Sequence, residues 1–319
     1  MAALDLFTFG EALLRLSAPE PLRLEQAAAL EVHVAGAESN VAIALARLGK
    51  QVAWFSRLPD APLGQLVLNF IRQHGVEVSD VISASEERLG LLFLERGMPP
   101  RPTRVWYDRA HSAASRLQPS DLPIERLASA RWLHLTGITP ALSDSCLATC
   151  HAAVAQAKQH RVKIAFDVNY RSLLWSPQRA REALSPFCAA ADLVFIASRD
   201  AATVFEMHGN ATTQAENLQR LWSGTVIVTD GERGAVAHGA EGTLTCAAYP
   251  TRMVERLGVG DAFAAGVLCR VMEEAPLAEA LRFGAAMAAL KLSMGGDVAL
   301  VRRDEVEALI AGDSAPLHR

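Results

Sequence analysis

Short apolar runs alternate with longer stretches of helical periodicity along most of this chain. Leu4–Phe9 is an apolar run of strand length that ends at Gly10-Glu11. Residues 13–34 alternate loosely and include Pro19 and Pro21, which predicts short strands or loops outside a main sheet. Gly36-Ala37-Glu38-Ser39-Asn40 then opens an alanine-rich helix, with Ser39 or Asn40 as its cap and Gly49 as its stop. Residues 51–55 read as a strand. Residues 62–74 read as a helix with a proline near its start and Gly75 past its end. Two further apolar runs, 89–94 and 103–107, are joined by Met98-Pro99-Pro100-Arg101-Pro102, a link too rich in proline for a sheet interior. They predict a hairpin projecting from the main body.

Beyond Ser120 the alternation resumes. Strands are expected at 132–135, 162–167, 192–196 and 225–229. Helices are expected at 143–160, from Ser176-Pro177 with serine as cap and proline at the first turn, and from about Ser198. Two more strands follow, then helices at 277–294 and 305–310, and residues 312–319 read as a mobile tail. Strand and helix in turn predict an α/β fold with a mainly parallel sheet, and no repeat or linker divides the chain. One domain over residues 1–319 is expected, with an appendage built from segments 12–35 and 88–110.

One stretch draws the others around it. In Gly258-Val259-Gly260-Asp261 two glycines precede an aspartate and then a run of small and apolar residues at helical spacing. The first N–H groups of a helix lack intrahelical partners and sit at its positive end, so such a loop makes an anion site. Asp261 is the only carboxylate within it, suited to taking a proton from a hydroxyl that attacks a phosphate. A capped core helix with a glycine turn has the same local pattern. Three other groups lie where open α/β sheets bind ligands, at strand carboxyl ends: Glu11, the series Asp167-Val168-Asn169-Tyr170-Arg171, and the glycine turn from Thr229 to Gly234. Tyr107 and Arg109 close the hairpin, as a polar-ligand contact or an ordinary strand end with a salt bridge.

Composition narrows the class. Of 319 residues, 50% are hydrophobic and 21% charged, which excludes a disordered chain, and a net charge of −4 without long single-sign runs gives no nucleic-acid footprint. No basic n-region precedes the first strand and no segment reaches membrane-spanning length, so a cytoplasmic protein is expected. Cys146, Cys150, Cys188, Cys246 and Cys269 form no C-x-x-C pair and read as reduced thiols. The chain also lacks a P-loop, a Gly-x-Gly-x-x-Gly after its first strand, and the elements of protein kinases.

The Gly36–Gly49 and Gly258–Asp261 stretches resemble the two signatures of the ribokinase-like (PfkB) carbohydrate kinases, in that family's order. Gly10-Glu11, Val105 to Arg109, His134 to Pro140 and Asp167 to Trp175 are similar to its 2-keto-3-deoxygluconate kinase branch. The resemblance covers nearly the whole chain. It implies a three-layer α/β/α doubly wound domain with a small β-sheet lid, and transfer of the γ-phosphate of MgATP to a sugar's primary hydroxyl, often with a monovalent cation such as K+. Asp261 would be the base, and the N–H groups of Gly258, Val259 and Gly260 would hold the transferring charge. Gly36, Ala37, Asn40, Tyr107, Arg109 and Arg171 would bind substrate, while Asn169, Arg171, Thr229, Gly231 and Gly234 would line the nucleotide. Arg109 and Arg171 match the carboxylate of a sugar acid.

Departures from the pattern are local. Glu255-Arg256 stands for the usual Asp-Thr or Asp-Pro, making Glu255 the candidate at the cation position. Ala197-Ser198-Arg199-Asp200 replaces Asn-x-x-Glu, making Asp200 the magnesium candidate, and Leu92 stands where relatives present a tyrosine. A kinase of a neutral sugar, or a non-catalytic carbohydrate-binding protein on the same scaffold, are the alternatives. A homo-oligomer formed through the exposed face of the lid hairpin is expected.

Overall fold

In the computed structural model, which describes residues 4–312, the first apolar run becomes strand β1 (Leu4–Phe9). The chain then leaves for β2 (Leu13–Ser17) and β3 (Glu31–Ala35) before returning through α1 (Ala37–Arg47) and β4 (Val52–Phe55). Next come β5 (Arg57–Pro59), α2 (Pro62–Gln73), β6 (Ile82–Ala84) and the expected hairpin of β7 (Leu91–Glu95) and β8 (Arg104–Asp108). Alternation continues with α3 (Ile124–Ala128), β9 (Ala130–Thr136), α4 (Asp144–Gln159), β10 (Lys163–Asp167), α5 (Pro177–Ala190) and β11 (Leu193–Ala197). The remaining elements are α6 (Ser198–Phe205), α7 (Ala211–Leu221), β12 (Thr225–Thr229), β13 (Ala235–Gly239), β14 (Gly242–Cys246), α8 (Val259–Met272), α9 (Leu277–Leu292) and α10 (Arg303–Ala311).

Eight strands form the main sheet in the order β14-β13-β12-β11-β10-β9-β1-β4. From β12 through β4 neighbours run parallel, and β13 and β14 add antiparallel at the edge. Strand order reverses at β1, which pairs with β4 on one side and β9 on the other. Open sheets leave a crevice at such a reversal, outside the carboxyl ends of their strands. Alternate residues of each strand feed opposite faces: Leu6 packs into the core with α1, α8 and α9, and Phe7 into the one with α4 and α5. These are the three expected layers. Between α8 and α9 a side chain on Gly266 would stand 2.8 Å from the Cα of Gly284, so two glycines let these helices nearly touch.

A separate four-stranded sheet, β3-β2-β7-β8, lies within the two segments read as an appendage. All five cysteines are free, and Cys146 and Cys150 share the buried face of α4. His134 is also structural: burial pushes its pKa down to about 3, and its backbone carbonyl accepts from Thr8 Oγ1 at 2.8 Å. Three details differ from the sequence reading. The parallel pair β5-β6 was not anticipated, because three-residue strands carry no readable period. The helix from Ser198 is two helices, α6 ending at Glu206 in the left-handed region and α7 capped by Asn210. And α1 starts one turn early, with Gly36 at its cap position and Ser39 Oγ bonded back to the Gly36 carbonyl at 3.0 Å. Beyond residue 312 the expected tail lies outside the described residues.

Candidate active site

Because α1 begins at Ala37, Asn40 is not a cap; its side chain is released from local work and reaches across the fold. Asn40 Nδ2 donates to Asp261 Oδ2 at 2.7 Å, joining the two glycine-led segments 221 residues apart. Both side chains are buried. Asn40 Oδ1 has no partner among the described residues, and a buried orphan acceptor beside a carboxylate is an open place for a hydroxyl.

Gly258 makes the turn into α8. Its φ of 75° is left-handed, and a methyl group there would run into the carbonyl oxygen of Asp297, so only glycine fits on both counts. The helix then opens with its amides toward the crevice. Ala262 N–H is the first to bond back, to Gly258 O at 2.9 Å, whereas those of Gly258, Gly260 and Asp261 make no hydrogen bond among the described residues. Val259 differs from expectation: its N–H points to Arg256 O at 3.4 Å, the backbone having already tightened into the helix there. Gly260 has open space beside it.

Asp261 lies in a field of acids. Burial raises its pKa to about 6, with the Asn40 hydrogen bond and Arg171 opposing, and Glu38 and Asp297 adding to the rise. Asp167, at the end of β10, is pushed further, to about 8, by burial and then by Asp261, against Arg171. Asp200, in the first turn of α6, is raised by burial and lowered by Arg199, 3.3 Å away, and by Arg171. The charge of Arg171 thus acts on all three carboxylates, and its guanidinium has no hydrogen bond or ion pair among the described residues. Asn169 takes a left-handed φ of 39°, and its amide donates to Asp167 Oδ1 at 3.1 Å. Its side chain is held at 3.4 Å from Asp167 Oδ2.

The lid end is less open than the sequence suggested. Arg109 is buried and its Nε donates to Glu11 Oε2 at 2.7 Å, while Ser112 holds the other carboxylate oxygen. Its guanidinium also lies over Tyr107, 5.2 Å from the ring centroid. The Arg109 charge is therefore already met by Glu11, leaving Nη1 as its free edge, while Arg171 keeps its charge available. At the end of the neighbouring strand Thr229 closes β12, and Gly231 and Gly234 bound an exposed turn stapled by Asp230 and Arg233 at 2.6 Å. Glu255 is buried and already pairs with Arg15 and Arg96. No group of three or more His, Cys, Asp or Glu able to hold a metal occurs among the described residues.

Two site residues were not singled out from sequence. Asp167 was read only as part of a polar strand end, since its charge field needs β10 beside α8. Glu38 is fully buried at the foot of α1, where Thr136 and Thr139 donate to Oε1 at 2.8 and 2.7 Å and Oε2 has no partner. An acid in the first turn of a largely apolar helix was the available signal.

Residues 3–302 match a family model described as "pfkB family carbohydrate kinase". The chain belongs to this family. It is accordingly a phosphotransferase with a sugar alcohol as acceptor. A Haloferax volcanii protein named 2-dehydro-3-deoxygalactonokinase is 42% identical over 316 residues, 99% of each chain. The 2-dehydro-3-deoxygluconokinase of Bacillus subtilis is 32% identical over 302 residues, covering 92% of this chain and 91% of its own. A crystal structure of the enzyme of that name from Thermotoga maritima superposes with a TM-score of 0.91 at 30% identity, over 97% of this chain and all of the other. The resemblance to the ribokinase-like fold and its keto-deoxy acid kinase branch is borne out. No helix among the described residues is long and apolar enough to cross a membrane.

Proposed function

We propose that this kinase transfers the γ-phosphate of ATP to the primary hydroxyl of a 2-dehydro-3-deoxy sugar acid of the gluconate or galactonate series. The observation that carries the reading is the Asn40–Asp261 bond at the open mouth of α8, beside an unpaired Arg171. Asn40 fixes one oxygen of Asp261, leaving the other to accept the proton of the acceptor hydroxyl, while Asn40 Oδ1 is free to accept from a second hydroxyl of the sugar. With a pKa near 6 the carboxylate is ionised at neutral pH yet basic enough to draw the proton as the phosphorus–oxygen bond forms. The amides of Gly258, Gly260 and Asp261 face the oxygens on which charge grows, the arrangement that stabilises such a transition state most. Arg171 offers its planar fork to the sugar acid's carboxylate, with Tyr107 and the free edge of Arg109 closing from the lid and Gly36 and Ala37 from below.

ATP and Mg2+ are the cofactors this class of transfer calls for. Thr229, Gly231, Gly234 and Asn169 border the nucleotide's side of the crevice. Asp167, half-buried at the end of β10, and the buried Asp200 carry carboxylates opposed chiefly by arginine, a donor set that would suit a hard divalent cation. That ion would neutralise the phosphate oxygens. A second copy would cover the lid's outer face, where Val32, Leu16, Phe93 and Trp106 stand opposite one another across four strands, with Val32 52% and Trp106 44% exposed.

The deciding experiment measures ADP release with MgATP against 2-dehydro-3-deoxygluconate, 2-dehydro-3-deoxygalactonate, fructose and ribose. Turnover with a keto-deoxy acid, lost with the neutral sugars, is expected. Turnover of the neutral sugars alone would overturn the sugar-acid reading, and none at all the catalytic one.

A further inference from the structure

A buried ionic cluster lies directly under the loop that feeds α8, and none of the roles above uses it. Glu255 accepts from Arg15 Nη1 at 3.2 Å and pairs with Arg96 Nη2 at 2.8 Å. Arg15 Nε lies 2.7 Å from Asp297 Oδ2. Lys291, from the last turn of α9, donates to the Met294 carbonyl at 3.2 Å and sits in the field of both Glu255 and Asp297. Arg15 and Lys291 are each 0% exposed. Three cations thus face two carboxylates.

Burying such a set costs as much as its attractions return, so it is poor evidence for stability and better evidence for fixing a geometry. The geometry it fixes is that of the phosphate loop. Val254 and Glu255 donate to the Leu292 carbonyl at 2.7 and 3.2 Å, and Gly258 rests on the Asp297 backbone, so the segment is held at one end by the last residue of α9 and at the other by the loop that follows it. Arg15 comes from the lid strand β2. On the same face of the lid Leu92 and Tyr107 pack with Leu257. Lid and loop therefore share one charged joint.

The family resemblance implies a monovalent cation at the Glu255 position, and these residues do not fit one. K+ needs several free oxygen lone pairs and no competing charge, whereas Glu255 is taken by two guanidinium groups, the Met294 carbonyl by an ammonium, and Asp297 Oδ2, which accepts no hydrogen bond among the described residues, already lies 2.7 Å from the charge of Arg15. We infer that Arg15 and Lys291 replace the monovalent cation: they are fixed internal charges that hold the Gly258–Asp261 amides in place, so that phosphoryl transfer needs no K+. This rests on the proposed kinase reaction. Within it Arg15 and Lys291 are positioning residues, acting through the loop without touching substrate.

The test uses the full-length enzyme in tetramethylammonium chloride or potassium chloride at equal ionic strength. ADP release from MgATP and the keto-deoxy acid is expected to agree within about twofold between the salts, and the unfolding midpoint in the absence of substrates within about 1 °C. Activation by K+, or a K+-specific rise in the midpoint, would overturn the inference while leaving the kinase reading intact. If no sugar acid is phosphorylated, that reading fails, and the unfolding comparison still decides the cation question. Lys291→Met and Arg15→Gln supply the second arm. Each should lower kcat by about 10- to 100-fold with KM for both substrates changed less than about threefold. Folded variants with wild-type kcat would overturn the inference. Should either fail to fold, the two salt comparisons on the wild type stand alone.

Discussion

Asp261 combines burial, one fixed oxygen and a raised pKa, and each property predicts something. Replacing it by asparagine keeps the shape and the Asn40 contact region but removes the proposed base, so kcat should fall about 10²- to 10⁴-fold with little change in unfolding temperature. Wild-type turnover in Asp261→Asn would dismiss it as the base. Since only the ionised form accepts a proton, kcat/KM should drop as pH falls through about 6, the value to which burial raises this group. A profile flat from pH 5 to 8 would be inconsistent with that role. Asp167 shows the opposite side of the same effect. Its folded pKa of about 8 lies far above its ordinary 3.8, so the unfolded chain releases a proton that the folded one keeps. Stability from this group is present at low pH and lost as pH rises from about 4 to about 8. Asp167→Asn should therefore raise the unfolding midpoint at pH 8 but not at pH 4, measured without nucleotide. A difference independent of pH would mean the carboxylate is solvated.

At the scale of elements, the entry to α8 depends on a single backbone conformation. Gly258→Ala would impose a left-handed φ on a residue with a side chain and push the methyl into Asp297, costing about 2–4 kcal/mol and displacing the free amides. We expect a lower unfolding midpoint and loss of most activity even in the folded fraction; scanning calorimetry and the ADP assay check both. The same element scale explains what could be read in advance. Ser176 with Pro177, and the apolar run from Ala262 to Leu268, carry their structure locally, and α5 and α8 appear where the pattern put them. Asn40 did not, because capping and long-range bonding draw on the same side chain, and only the start of α1 at Ala37 decides between them. Strands β5 and β6 were missed for want of length.

Over the whole molecule, the two faces of the lid sheet differ. Its inner face carries Arg15, Leu92 and Tyr107 against the segment that leads into α8. Its outer face presents Val32, Leu16, Phe93 and Trp106 as an apolar row. A row of this kind on a β-sheet favours association with a like surface. Light scattering should report a dimer or larger assembly for the wild type and a smaller species for Trp106→Lys with Val32→Glu, the double variant remaining folded. A monomeric wild type would rule out this face as an interface.

Sequence alone determined the order of strands and helices, the layers they build and the two glycine-led segments that bracket the site, because periodicity, caps and glycine turns act over a few residues. It also placed Asp261 at a helix mouth, which is a local property. Tertiary structure decided which charges are free. Arg109 and Arg171 look alike along the chain, yet Glu11 neutralises the first and no carboxylate among the described residues pairs with the second. Glu255 reads as a ligand until Arg15 arrives from a strand 240 residues away. Pairing and burial of charge depend on neighbours that only folding supplies, and the electrostatics of this site were settled there.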